Sequence, residues 1–175
     1  MVPFGGGTSV VGGLDPIRDG FDAVLSLDLR RFDQLVGLDE EPGIATFGGG
    51  TTGPRAEELL REHGFSVGHF PQSFLFATLG GFAATRSSGQ ASAGYGRFED
   101  MVQGLTVVTP SGVIETGRAP ASAAGPDLGE LFVGSEGTLA VVTQAMQWDM
   151  NPLEKLRVSL GGRFDQMSFD YTNFI

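Results

Sequence analysis

Apolar and polar positions alternate through AVLSLDL at 23–29, the period of two that a half-exposed strand requires. RRFDQLVGLD at 30–39 starts as a turn and then resumes the alternation, so a second strand is expected there. GIATFGGG at 43–50 predicts a strand that runs straight into a loop. The period changes at 51–64, TTGPRAEELLREHG, where Ala56, Leu59 and Leu60 fall at helical spacing. Thr51 or Thr52 stands at the cap, Pro54 lies in the first turn and Gly64 stops the run. TLGGFAATRSSG at 78–89 predicts a short helix packed closely at its glycines, and MVQGLTVVTPSGVIETG at 101–117 a hairpin about Pro110, Ser111 and Gly112. GTLAVVTQAMQW at 137–148 reads as a further strand. GQASAGYGRFEDM at 89–101 and GRAPASAAGPDLG at 117–129 are small-residue stretches expected to be loops. The pattern is mixed α and β.

The glycines change the picture. VPFGGGTSVVGG at 2–13 places five of them within twelve residues. Two readings stand for such a stretch: a loop whose bare N–H groups curl around an anion, or a flexible linker. The chain has 28 glycines in 175 residues, well above the roughly 7% of ordinary usage. They are grouped at 5–7, 12–13, 48–50, 80–81 and 134–137, which flexibility alone does not require, and no period relates the groups.

Charge narrows the chemistry. A formal net charge of −10 argues against a nucleic-acid partner and leaves few cations to hold a phosphate, so backbone amides would have to do it. Without cysteine there is no disulfide, no thiolate metal site and no cysteine nucleophile. No apolar run of about 18 residues is present, and the start lacks a basic segment leading into an apolar one. Cytoplasmic residence is the default expectation. Neither a catalytic constellation nor a metal cluster is predicted.

Four blocks, PFGGGTSVVGG (3–13), GHFPQSFLFATLGG (68–81), ATRSSG (84–89) and VGSEGTLAVVT (133–143), together with the VVTPSG hairpin, carry a resemblance. In order and spacing the chain resembles FAD-linked oxidases of the vanillyl-alcohol oxidase type, with their PCMH-type FAD-binding domain. Within that group it looks most like alkylglycerone-phosphate synthase and its bacterial relatives. The likeness covers residues 2 to about 148. It implies an α+β fold, an antiparallel-rich sheet with flanking helices, and FAD as a cofactor held without a covalent bond. Thr8 stands about where covalently flavinylated relatives place a histidine.

Carried over by position, the resemblance implies a pyrophosphate loop of Pro3, Phe4, Gly5, Gly6, Gly7, Thr8 and Ser9, whose glycines would let main-chain N–H groups reach phosphate oxygens. A second contact falls on Pro71, Gln72, Ser73, Phe74, Leu75, Phe76 and Ala77, with Gln72 where the family usually has Asp. Thr78, Gly80 and Gly81 follow as a close turn. Ala84, Thr85, Arg86 and Ser87 would form the third contact. Glu136, Gly137, Thr138, Leu139, Ala140, Val141 and Val142 would form the fourth, with Ala140 where Gly is common.

Other readings of the residues are plainer. His69, beside Phe70, reads as structural, and the neighbours Glu99 and Asp100 as a solvated turn. The GxGxxG fingerprint of the doubly wound dinucleotide fold is not met by 5–13. Relatives carry a strand–helix–strand unit before the glycine loop and a substrate-binding cap after it. Residues 1–150 are therefore expected to be an FAD-binding domain truncated in its first lobe, and 151–175 the start of a cap. Truncation should leave 2–4 and 23–29 as unpaired apolar edges. The activity implied is exchange of acyl for alkyl on dihydroxyacetone phosphate, as in ether-lipid chemistry. The alternatives are an FAD-linked dehydrogenase or oxidase of a 2-hydroxy acid such as D-lactate or glycolate, and a catalytically silent flavin-binding fragment. A small or lipid-like substrate is the expected partner of the full-length protein, and a homodimer is compatible with the sequence.

Overall fold

In a computed structural model the described residues are 1–117, 123, 125–147 and 151–152. Strand β1 (Val2–Phe4) pairs in parallel with β2 (Ser26–Asp28), so the two segments expected to be unpaired edges lie against each other. Between them the chain crosses 5–25 as loop, and Leu29 N–H donates to the Phe4 carbonyl at 2.9 Å.

A five-stranded antiparallel sheet follows, built from β3 (Leu35–Asp39), β4 (Ile44–Gly48), β6 (Val102–Thr109), β7 (Gly112–Glu115) and β8 (Val141–Gln147) in the order β3-β4-β8-β6-β7. The hairpin predicted at 101–117 is present, with Pro110 and Ser111 as the two-residue turn between Thr109 and Gly112, and the separately predicted strands β3 and β4 pair as a second hairpin. The strand predicted at 137–148 enters between them, so β8 is central although it comes last of the five.

Helix α1 (Gly53–Arg61) buries Gly53, Ala56 and Leu60, as the helical spacing requires. Thr52 is at its cap but makes no side-chain cap bond. Strand β5 (Phe65–Ser66) pairs with β9 (Asn151–Pro152). Helix α2 (Leu79–Thr85) packs on β8 and β4 and begins at Thr78, whose hydroxyl accepts from Gly81 N–H at 3.2 Å. Leu79, Phe82 and Ala83 join Phe47, Leu60, Phe98, Leu105, Val107, Phe132 and Ala145 in the core.

The stretch 89–101 is not only loop. It holds two four-residue helices, α3 (Ser92–Tyr95) and α4 (Phe98–Met101). In α4, Asp100 accepts from Arg97 N–H at 2.8 Å while Phe98 and Met101 are buried. An element of one turn is too short to register as a period. Of the stretch 117–129, residues 118–122 and 124 lie outside the described residues. Its end begins helix α5 (Leu128–Phe132), capped by the Asp127 carboxylate on Gly129 N–H at 2.7 Å.

Candidate cofactor-binding cleft

Three consecutive glycines at the end of β4 bring the site together. Gly49 N–H donates to Thr143 O at 2.8 Å, Gly50 N–H to Phe32 O at 3.0 Å, and Gly80 N–H returns to Gly49 O at 2.9 Å. A Cβ on Gly48, Gly49 or Gly50 would overlap the carbonyl of Phe32, Val142 or Leu29 respectively. A Cβ on Gly80 would lie 2.7 Å from Gly49 O. Here the glycines serve close backbone packing, which draws α2, β8 and the parallel pair to one point.

Around that point lies a cleft of about 490 Å³, within the range of small-molecule sites. All four sequence blocks contribute walls. From the first come Pro3, Gly5, Gly6, Thr8 and Ser9, and from the second Pro71, Gln72, Ser73, Ala77, Thr78, Gly80 and Gly81. The third gives Ala84, Thr85 and Ser87, and the fourth Glu136, Gly137, Ala140 and Val142. Phe4, Gly7, Phe74, Leu75, Phe76, Arg86, Thr138, Leu139 and Val141 are expected site residues that do not line it. Leu75 and Phe76 are exposed, while the Phe74 ring packs against Phe70 with centroids 5.1 Å apart. Sequence reasoning missed Val10, Gly13, Leu14, Leu29, Gly49, Phe82 and Ser88, all in the lining. Gly49 had a signal in the 48–50 glycine group. Leu29 and Phe82 had none, because a buried lining residue looks like any core residue in sequence.

The first wall is rich in donors. Among the described residues, none of the amides of Gly5, Gly6, Gly7, Thr8 and Ser9 donates to a protein acceptor. Ser9 lines the same cleft, and its Oγ is buried without a partner. Unsatisfied polar groups in such a place mark where a ligand or water completes the bonding. Gly7 has φ +70°, a left-handed conformation that turns the loop. Gly6 is required for another reason: a Cβ there would overlap the Phe76 carbonyl, so the loop is pressed against 76–77. A Cβ on Gly5 would lie 2.6 Å from Thr78 Oγ1.

His69 sits beneath the cleft, buried, with its Nε2 3.0 Å from Ser87 Oγ and its ring edge-on to Phe82 at 5.0 Å. Burial lowers its pKa to about 4, so the ring is neutral at pH 7. It supports Ser87 and does not line the cleft. Glu99 is not solvated, as its place in a turn suggested: its side chain is 15% exposed and paired with Arg86 and Arg97. Asp100 is exposed and caps α4.

A glycine loop with free amides, an antiparallel sheet behind it and four sequence-distant blocks around one cleft define a cofactor-binding domain. Residues 1–117 match the family model described as FAD binding domain, and the chain belongs to that family. Its cofactor is FAD, and the family is enzymatic. It is 44% identical over 149 residues to alkyldihydroxyacetonephosphate synthase of Trypanosoma brucei brucei, covering 83% of this chain and 24% of that protein. A solved structure of alkyldihydroxyacetonephosphate synthase superposes with a TM-score of 0.79 at 37% identity, covering 86% of this chain and 27% of that one. Mitochondrial D-lactate dehydrogenase (cytochrome) 1 of Saccharomyces cerevisiae is 36% identical over 148 residues, again 83% of this chain and 24% of that protein. The chain spans about a quarter of the length of these relatives. Among the described residues no helix is long and apolar enough to cross a membrane.

Proposed function

We propose that the cleft holds FAD without a covalent bond and that the chain is the FAD-binding portion of a flavin-dependent enzyme resembling alkylglycerone-phosphate synthase. The observation that carries the reading is the group of five undonated amides, Gly5 to Ser9, beside the unpartnered Ser9 hydroxyl. Such a group suits a pyrophosphate, whose oxygens accept several N–H bonds at once, and it does so without the cations an acidic chain lacks. Thr8 and Ser9 add hydroxyl donors, Gln72 and Ser73 offer polar groups across the cleft, and Ala77, Ala84, Ala140 and Val142 give it apolar walls. FAD, when bound, supplies the electron-accepting chemistry of the reaction. The chain's own residues bind it, orient it and shield one side from water.

The similarity to alkyldihydroxyacetonephosphate synthase favours exchange of acyl for alkyl on dihydroxyacetone phosphate in the whole protein. The similarity to D-lactate dehydrogenase keeps oxidation of a 2-hydroxy acid as the second reading. Neither histidine lines the cleft: His69 is buried beneath it, and His63 pairs with Glu40 at 3.4 Å on the surface. The 175-residue chain alone is therefore expected to bind flavin and not to turn over either substrate.

Reconstitution with FAD tests the reading. At a free concentration 100 times Kd, FAD should stabilise the chain by about 2.7 kcal/mol and raise its Tm accordingly. Acid precipitation should leave a yellow supernatant and a colourless pellet. An unchanged Tm would overturn the site, and a yellow pellet the non-covalent attachment. Saturable turnover of acyl-dihydroxyacetone phosphate with hexadecanol, or of D-lactate with a dye acceptor, would mean that the catalytic groups already lie within this chain.

A further inference from the structure

Arg86 ends α2 in a left-handed conformation, φ +50° and ψ +51°, which is uncommon for a residue with a side chain. Its side chain leaves the cleft and crosses to the turn after α5. There Nε donates to Val133 O at 3.3 Å, and a Cβ on Gly134 would lie 2.5 Å from that same Nε. Nε also stands 3.1 Å from Glu99 Oε2, and Nη2 3.2 Å from Glu130 Oε2. The one Nε hydrogen points at Val133, so Glu99 Oε2 is held by charge alone and accepts no hydrogen bond. The backbone repeats the link: Gly134 N–H donates to Ala83 O at 3.0 Å and Glu136 N–H to Ala84 O at 2.9 Å. Glu136 is the other described non-glycine residue at positive φ, +52°. Strain of this kind persists where the surroundings enforce it, and it gathers at ligand sites.

Two cleft walls meet here, α2 with Gly80, Gly81, Ala84 and Thr85, and the turn with Glu136 and Gly137. Resting on the reading of the cleft as the FAD site, we propose that Arg86 is a positioning residue that clamps these walls together from outside. Glu130 is exposed and its pair contributes little, so the Val133 carbonyl and the sheltered Glu99 carry the clamp.

FAD titration of wild type, Arg86→Gly and Arg86→Lys tests it, alongside thermal unfolding of each chain without flavin. Glycine removes the clamp and also relieves the left-handed strain. Arg86→Gly should therefore keep or raise the Tm yet bind FAD about tenfold more weakly, through faster release. Lysine keeps the charge but cannot donate to Val133 while facing both glutamates, so its Kd should fall between. Wild-type affinity in Arg86→Gly overturns the clamp, and so does a loss of affinity matched by a loss of Tm. If Arg86→Gly does not fold, Arg86→Lys decides, and wild-type affinity there overturns it. Failure of wild type itself to bind FAD overturns the cleft reading first, before any substitution is compared.

Discussion

Gly6 and Gly7 are neighbours in one loop, yet the structure asks different things of them. Gly6→Ala drives a methyl group into the Phe76 carbonyl and should cost about 3 kcal/mol or more, with flavin lost because two walls separate. Gly7→Ala meets only the Phe4 ring, at 3.1 Å, and should cost about 1–2 kcal/mol for its positive φ. Gly37→Ala, in open space on β3, should be neutral or stabilise by about 0.5 kcal/mol. Denaturant midpoints of the three variants check the order. The glycine clusters were visible in the sequence; which one serves packing was not, because the carbonyl that decides it lies seventy positions away. His69 supplies a pH test. Its folded pKa, about 4, is below the unfolded 6.5, so the unfolded state binds the extra proton between those values. Stability should therefore fall as pH drops from 6.5 to 4, by about 3 kcal/mol from this group, and level off below. His69→Gln should flatten that part of the profile, whatever its offset at pH 7. An unchanged slope would show that the ring is not buried neutral.

Among the elements, α1 was legible because its apolar spacing, Pro54 and Gly64 all agree. What it holds was not. Glu57, on the same helix, turns one carboxylate oxygen to Ser66 Oγ at 3.2 Å, Val67 N–H at 3.0 Å and Gly68 N–H at 3.3 Å. Burial pushes its pKa up, against the three hydrogen bonds that favour the carboxylate. All three donors need only one oxygen, so Glu57→Gln should be nearly neutral. Glu57→Ala should cost about 2 kcal/mol by leaving the Val67 amide and the Ser66 hydroxyl without their acceptor, while Gly68 N–H keeps Ser66 Oγ, readable as a lower Tm. The helices α3 and α4 are illegible in the sequence because each is a single turn, α3 with no buried residue and α4 with two, and one turn carries no repeat. The sheet strands are legible, β3 by alternation and the others as β-rich runs bounded by turn residues. Their order is not, since alternation says which face is buried and nothing about which strand lies alongside.

Across the whole molecule, Val10, Val11, Ile17, Phe21 and Leu25 are all largely exposed within one stretch beside the β1–β2 pair. Scattered apolar residues are ordinary, but five within sixteen positions make a sticky surface. The chain should self-associate at tens of micromolar despite its charge, and Ile17→Ser with Phe21→Ser should return a monomer in sedimentation velocity. The family was legible from four blocks because each is a backbone geometry written in glycine and small residues. The cleft's apolar lining was not, being indistinguishable from core. The central place of β8 has a consequence for how the molecule is made. During synthesis the hairpins β3–β4 and β6–β7 emerge first, and each waits with one edge open for a strand that is still being translated. Pairing β4 with β8 closes a loop of about a hundred residues, an entropic step that local hairpins do not face. Ribosome-arrested chains ending near 140 should therefore be cleaved readily by protease, and protection should arrive in one step as β8 clears the exit tunnel. The last strand of the sheet to be born is the one that turns two hairpins into a domain.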